Sequence, residues 1–421
     1  MGLLSSFMKQ ISMHPDQTDI HAVTESFLHD MDMGLRGEAR SLPMIPTYIS
    51  ALGTPPENKP VITVDAGGTN LRIGLVSFQN GVPVNHHFEK HAMPGTKGEM
   101  SAEEFFESLT DMLYPLTKQS DTVGFGFSYP VEILENRDGK IILLNKEVQV
   151  RGAGGYLIGE TLKRKLAERG VTEEMKFVVL NDTVATLMGT AACFGLENVD
   201  GVAALVLGTG CNSCYMEKGE KILKLNHAGD MIVNCESGGF TGGGGGKADD
   251  VLDCNSGTPG TFRFEKMMSG IYLGRLVTHI ARLAADAGLM SAAFGNPGGE
   301  YFTATELDSF IRGGENRICA MCKGSDAETL SGIVDMVFER AAKLICANIA
   351  ALCIHCDGGK KPETPFLLAA EGSMFQHALL FRDKLDYHLD THIRQGLGRF
   401  VAISTAEDAT MAGSALAALL N

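Results

Sequence analysis

Two stretches of this chain set a turn of glycine and threonine between apolar strands: VITVDAGGTNLRIGLVSF at 61–78 and GVAALVLGTGCNSCYME at 201–217. In the first, Leu71, Ile73, Leu75 and Val76 follow the turn with near two-residue alternation. The turn is also short, so the unit reads as a β-hairpin and not as a strand leading into a helix. No run of identities links the two copies, so the echo is one of layout. Strands and helices alternate after each hairpin, which predicts two similar α/β units with a cleft between them. Glycine lets backbone N–H groups approach an anion, and the threonine hydroxyl adds a donor. The residues concerned are Asp65, Gly67, Gly68, Thr69 and Asn70 in one loop, and Gly208, Thr209, Gly210 and Asn212 in the other. Either loop alone is as well explained by an ordinary hairpin turn. Two in the same setting are not, with an Asp at a strand–helix joint between them.

That joint is KFVVLNDTVATLMGT, 176–190, where Asp182 follows an apolar strand and heads a helix. Asp is a favoured helix cap, because its carboxylate accepts from the first unpaired N–H groups. The capping and chemical roles do not compete. Asp65 lies just before the first glycine turn, where it would repel phosphate unless a Mg²⁺ ion bridged the two. Arg72, three residues past Thr69, can meet a transferred phosphoryl group. Neither loop closes with Gly-Lys-Ser/Thr, and neither is a dinucleotide fingerprint.

Elsewhere the pattern predicts helices over 16–38, 102–118, 158–169, 262–288, 304–322, 327–356 and 406–420, and strands at 366–373 and 400–405. The five glycines 242–246 imply a mobile or tightly folded loop. With 36 basic against 51 acidic residues the formal charge is −15, which argues against a nucleic-acid or anionic-membrane partner. No apolar run reaches the roughly 20 residues of a membrane span. The start, MGLLSS, fits a loose acylation pattern with no polybasic stretch behind it, and is read as coincidence. Of three Cys-x-x-Cys spacings (Cys211/Cys214, Cys319/Cys322, Cys353/Cys356), the last two could form a zinc site, but they lie on long helical-looking segments, and the reading is reduced core cysteines in a cytoplasmic protein.

Taken in order, the motifs resemble the eukaryotic-type hexokinase family of the sugar-kinase, heat-shock-chaperone and actin superfamily, over most of the chain. MIPTYI resembles its lead-in, VDAGGTNLRIGLV its first phosphate motif and FSYPVE its sugar loop. LNDTVATLMG resembles its catalytic segment, LGTGCNSCYME its second phosphate motif and VNCESGGF a sugar-binding carboxylate segment. SGTPGTFRFEKMMSGIYLG is similar to its Glu-Lys helix start, and AAEGSMFQH to its adenosine motif.

The resemblance implies an α/β protein of two ribonuclease H-like (actin-like ATPase) lobes, 61–180 plus 405–421 and 1–60 plus 181–404, around an active-site cleft. It implies transfer of the ATP γ-phosphoryl group to the 6-hydroxyl of a hexose, glucose first, with Mg²⁺. Asp182 would be the general base and Arg72 a catalytic cation. Ser128, Asn181, Asn212, Glu236 and Glu265 would join Asp182 in binding the sugar. Gly67, Gly68, Thr69, Asn70, Gly208, Thr209 and Gly210 would hold phosphates, Gly372 and Ser373 would border adenosine, and Asp65 would reach the metal through water. Paired carboxylate acceptors and amide or hydroxyl donors suit vicinal hydroxyls, which both donate and accept.

Three departures from the family pattern stand out. Glu147-Val148 replaces a Thr-Lys pair, leaving Lys146 or Arg151 to supply the cation. Ser237 stands where the family usually has Trp, and Ala409-Thr410-Met411-Ala412-Gly413 lacks a basic residue. They leave open a kinase for an amino sugar or ketohexose, or a weakly catalytic sugar sensor. A chaperone- or actin-like ATPase would have no use for the Asn212, Glu236 and Glu265 set.

Overall fold

The computed structural model describes every residue except Met1, Ala39, Leu52, 145–147, Gly195, His227, 297–298 and 406–408. Each hairpin opens a sheet. The first sheet is built from β1 (Val61–Ala66), β2 (Asn70–Gln79), β3 (Val82–Ala92), β4 (Thr122–Phe127) and β5 (Lys176–Leu180), in the order β3-β2-β1-β4-β5. The second uses β6 (Val202–Leu207), β7 (Cys211–Glu217), β8 (Met231–Asn234), β9 (Phe366–Glu371) and β10 (Val401–Ser404), in the order β8-β7-β6-β9-β10, with Ile45–Pro46 added beyond β8. In each set of five strands two pairings are antiparallel and two parallel, so the layout expected from the hairpins extends to the whole sheet. Each turn is closed by a backbone bond, the second over one residue fewer: Gly67 N–H donates to the Asn70 carbonyl at 3.0 Å, and Gly208 N–H to the Gly210 carbonyl at 3.0 Å.

Helices Asp182–Phe194 and Ala409–Leu420 cross in the layer between the sheets. Val184, Leu187, Met188, Leu416 and Ala417 pack there with Val178 from one sheet and Val202, Ala204 and Ala369 from the other. The crossing is closer than side chains allow. A Cβ on Gly189 would overlap the Ala409 carbonyl oxygen, and one on Gly413 the Ala185 carbonyl oxygen. Lys176 Nζ also donates to the Ala418 carbonyl at 3.0 Å, tying the last helix to β5. We propose that the lobe division at 61–180 plus 405–421 follows this arrangement.

Several sequence expectations change in detail. The helix expected at 16–38 runs Ile20–Leu35, because Asp19 caps it and Gly37 at φ 82° lies beyond its end. Residues Gly2–Gln10 form a further helix that buries Phe7 and Met8. Residues 102–118 are helical only to Leu113, where Pro115 tightens the chain into a 3₁₀ turn. The region 304–322 splits into Ala304–Ile311 and Arg317–Met321 around Gly313-Gly314. Strand β3, VPVNHHFEKHA, was not anticipated, since none of its residues is buried and polar residues crowd its centre. The glycine run is tightly folded: Gly246 caps helix Lys247–Cys254, and a Cβ on Gly242 would overlap Ser26 Oγ.

The cysteine reading holds in part. All ten described thiols are free. Cys211, Cys214 and Cys353 are buried, but Cys319 is exposed and Cys322 and Cys356 are half-buried. Cys319 and Cys322 lie on and just past a short helix at the surface instead of on a long buried one. Burial pushes the thiols of Cys235, Cys346 and Cys353 up to about 12, so they remain protonated and inert.

Two predictions follow from this packing. Gly413→Ala forces apart two backbones with no flexible side chain between them, so it should cost about 2 kcal/mol or more, seen as a lower melting temperature. His279 is 5% exposed, and burial, then Arg282, hold its imidazole down to about 4. An unfolded histidine titrates near 6.5, so the unfolded chain takes up the proton first as pH falls. Stability should therefore be fully present above pH 6.5 and decline between 6.5 and 4. His279→Leu should flatten that part of the curve in denaturant titrations at stepped pH.

Candidate active site

In the first sheet β1, β4 and β5 run parallel with Ala66, Phe127 and Leu180 near their C-terminal ends. The chain leaving those ends carries the first glycine loop, Ser128, and Asn181-Asp182. Ligands of open α/β sheets gather at this edge because loops and helix N-termini converge there. Ser128 N–H donates to the Ala66 carbonyl at 3.1 Å, joining the sugar-loop candidate to the glycine loop.

At the head of helix Asp182–Phe194 the cap is Asn181, which corrects the expectation that Asp182 caps it. The Asn181 carbonyl accepts from Ala185 N–H at 2.9 Å and its side-chain Oδ1 from Thr183 N–H at 2.9 Å. Asp182 occupies the first helical position, with Oδ1 2.8 Å from the same Thr183 N–H. Both stay half-exposed, toward the cleft.

From Asn181 a chain of side-chain amides crosses to the second sheet. Asn212 Nδ2 donates to Asn181 Oδ1 at 3.2 Å and to Asn234 Oδ1 at 2.9 Å, and Asn234 Nδ2 donates to Glu236 Oε1 at 2.7 Å. Asn212 Oδ1 in turn accepts from Ser213 N–H at 2.7 Å and Ser237 N–H at 3.3 Å. Ser237, one of the departures from the family pattern, is thus buried and bonded to the Asn212 side-chain amide through its backbone. Asn234, 5% exposed, had not been singled out. Its position two residues before Glu236 was the available signal.

Glu265 closes this side of the cleft. Its Oε2 accepts from Cys211 N–H at 3.0 Å, which explains why Gly210 carries no side chain: a Cβ there would meet the same oxygen at 2.5 Å. Glu236 at φ 54° and Phe262 at φ 51° hold left-handed backbone, one at a candidate sugar residue and one opening the short helix that carries Glu265. Such positions cost about 1–3 kcal/mol each and persist only where the surroundings impose them. Here Lys266, 2% exposed, anchors that helix to Asp253 Oδ1 at 2.7 Å and to the Thr258 carbonyl at 2.6 Å.

The second glycine loop is braced from behind. Gly270 N–H donates to the Gly208 carbonyl at 2.8 Å, and Ser269 Oγ to the Thr209 carbonyl at 2.9 Å. Gly372 at φ 109° lies against it, where a Cβ would overlap the Leu207 carbonyl, and Ser373 N is 3.5 Å from where a Gly208 Cβ would stand. The nucleotide candidates of the second half thus meet at one sheet edge.

Charge concentrates between the sheets. Asp65, 6% exposed, sits 3.3 Å from Arg72 Nε and 3.3 Å from Thr410 Oγ1. Thr410 belongs to the segment lacking its expected basic residue. Glu371, also not anticipated, accepts from Thr186 Oγ1 at 2.6 Å, and the same hydroxyl is 3.0 Å from the Asp182 carbonyl. Burial, then the Asp182 and Asp65 carboxylates, push the Glu371 carboxyl above its ordinary value, against the Thr186 hydroxyl and Arg72. On β3, Lys90 stands directly opposite Arg72, which is itself opposite Asp65. The three side chains therefore leave the sheet on one face.

Lys146 and Glu147 lie outside the described residues. Val148 is 3% exposed and packs in the core of the first sheet, and Arg151 pairs with Glu99 at the surface, its side chain 75% exposed. Neither described residue brings a cation to the cleft, so the substitute proposed for the Thr-Lys pair is not found at Arg151.

A hexokinase family model matches residues 202–420 and a second hexokinase model residues 4–192. The chain belongs to the hexokinase family. It is accordingly a sugar kinase of the hexose-phosphorylating class. Rice hexokinase-3 (Oryza sativa subsp. japonica) is 28% identical over 100% of this chain and 90% of that protein. Human hexokinase-3 is 32% identical over 66% of this chain but only 31% of its own length. A solved hexokinase from Schistosoma mansoni, complexed with glucose, superposes with a TM-score of 0.81 at 22% identity, covering 100% of this chain and 99% of that one. The shared architecture is the two-lobed, actin-like ATPase fold.

Asn234 holds both Asn212 and Glu236. Asn234→Ala should therefore weaken hexose binding by about tenfold, the loss of one or two buried hydrogen bonds, with nucleotide affinity unchanged. Calorimetry with each substrate separately measures this.

Proposed function

We propose that this chain transfers the γ-phosphoryl group of ATP to the 6-hydroxyl of a hexose, glucose before others, with Asp182 as the general base. The observation that carries the reading is the amide chain from Asn181 through Asn212 and Asn234 to Glu236. It ties Asn181, the residue before the half-exposed Asp182, to a polar, hydrogen-bonding wall on the opposite sheet. A sugar seated against that wall would present a hydroxyl to Asp182, and a carboxylate within reach can take its proton as the phosphoryl group arrives. The glycine loops on either side supply backbone N–H groups for the phosphates. The glucose bound in the Schistosoma hexokinase supports glucose as the first sugar to test.

The donor set fits Mg²⁺ that arrives on a nucleotide and keeps part of its water shell. Among the described residues no group of three or more His, Cys, Asp or Glu could hold a metal by itself. Asp65 and Glu371 lie close enough to raise the Glu371 carboxyl, an excess of negative charge that a cation would offset. Asp65 would hold the ion through water. Once bound, the ion would neutralise charge on the transferred phosphate. Arg72, and Lys90 beside it, would steady the phosphoryl group in transit. Closure of the lobes over the sugar would keep water from competing as acceptor.

The experiment is a coupled assay of ADP release across a panel of hexoses, including an amino sugar and a ketohexose. Asp182→Ala should lower kcat by about 10²–10⁴-fold, the usual contribution of a general base, and leave sugar binding measurable. Near-wild-type turnover in that variant would remove Asp182 from the role. The burial of Val148 favours one second reading, a sugar sensor with little catalysis, and sugar binding without turnover on any hexose would establish it.

A further inference from the structure

We infer that Tyr129 is a positioning residue for the nucleotide: its phenol orients two successive peptides of the first glycine loop so that their N–H groups face the phosphates. The inference rests on the kinase reading above. Tyr129 is 2% exposed, and its hydroxyl lies 2.9 Å from the Gly67 carbonyl and 2.9 Å from the Gly68 carbonyl. Its one proton is shared between the two oxygens.

The consequence follows from peptide geometry. In a planar trans peptide the C=O and the N–H of one unit point in opposite directions, and among the described residues no peptide is cis. Turning the Gly67 and Gly68 carbonyls toward Tyr129 therefore turns the N–H groups of Gly68 and Thr69 away from it. The sheet itself says which side that is. Ile62, Val64 and Ala66 of β1 pack with Phe125, Phe127 and Tyr129 in the core on one face. Asp65 leaves β1 on the other face, beside Arg72 and Thr410. The carbonyls thus point into the core of the first sheet, and the two N–H groups toward the face that carries Asp65 and Arg72.

Glycine makes this arrangement possible and also makes a device of this kind necessary. Gly67-Gly68 can adopt many backbone states, and a loop without side chains has little to select one. Gly67 N–H bonds the Asn70 carbonyl and Met93 N–H bonds the Thr69 carbonyl, which fixes the loop's two ends but neither central peptide. The phenol acts on the central pair. It stands one residue after Ser128, so the segment that offers a hydroxyl to the sugar also sets the phosphate cradle.

The test is Tyr129→Phe, which keeps the ring against Phe127 (ring centroids 5.2 Å apart) and removes only the oxygen. Affinity for ADP with Mg²⁺ and for glucose would be measured separately by calorimetry, alongside both KM values. The expected result is at least a fivefold loss for ADP, a matching rise in KM for ATP, and glucose affinity within twofold of wild type. Wild-type ADP affinity in the variant would overturn this inference alone. An equal loss for both substrates would also overturn it, since a general loosening of the lobe would act on both. A wild-type chain that binds no nucleotide would overturn the kinase reading, and this inference with it.

Discussion

Two helices cross between the sheets at a separation that only glycine permits, with Gly189 against the Ala409 carbonyl and Gly413 against that of Ala185. Nearly every functional side chain takes its place from this contact. Asp182 heads one helix and Thr410, bonded to Asp65, lies in the first turn of the other, so the crossing sets how far Asp182 lies from Asp65. Thr186, one turn into the first helix, reaches across to Glu371 on the second sheet. Because the packed residues come from both sheets, any shift of one lobe against the other must pass through this layer.

The cleft that results is acidic, like the chain. Three carboxylates (Asp65, Asp182 and Glu371) converge near Arg72. A site of this sign would repel a nucleotide if side-chain charge were the only means of holding one. In the proposed reading the answer is backbone: each sheet contributes a glycine turn whose N–H groups carry partial positive charge without a basic residue. Those turns are braced from outside the cleft, by Ser269 and Gly270 in the second half and by Tyr129 in the first. Overall charge of −15 and phosphate binding are compatible for this reason.

Both hairpins were legible because alternation and a short glycine turn leave few other folds open to such a stretch. Asn181, Asn212, Glu236 and Glu265 were singled out through their motifs; the structure bonds Asn212 to Asn181 directly and to Glu236 through Asn234, and ties Glu265 to Cys211. Other residues were hidden for identifiable reasons. Glu371 was passed over in favour of the glycine after it, since a strand-end carboxylate has no pattern of its own. Lys90 sits on a strand with no apolar alternation and matters only through its register with Arg72. Strand β3, the helix Gly2–Gln10 and the break at Gly313-Gly314 were missed because burial on one side, or its lack, is decided by neighbours far along the chain.

Sequence alone determined the two hairpins, the position of an acidic residue at a strand–helix joint and the family to which these motifs belong. All of those are local patterns, set by the spacing of apolar residues and by what glycine and threonine can do in a turn. Only the tertiary structure decided which polar groups meet. It made Asn181 and not Asp182 the helix cap, buried Val148 in the core of the first sheet, and set two carbonyls of the first loop against a tyrosine hydroxyl some sixty residues away. Contacts of that kind depend on where separate segments lie in space, and no spacing along one segment encodes them.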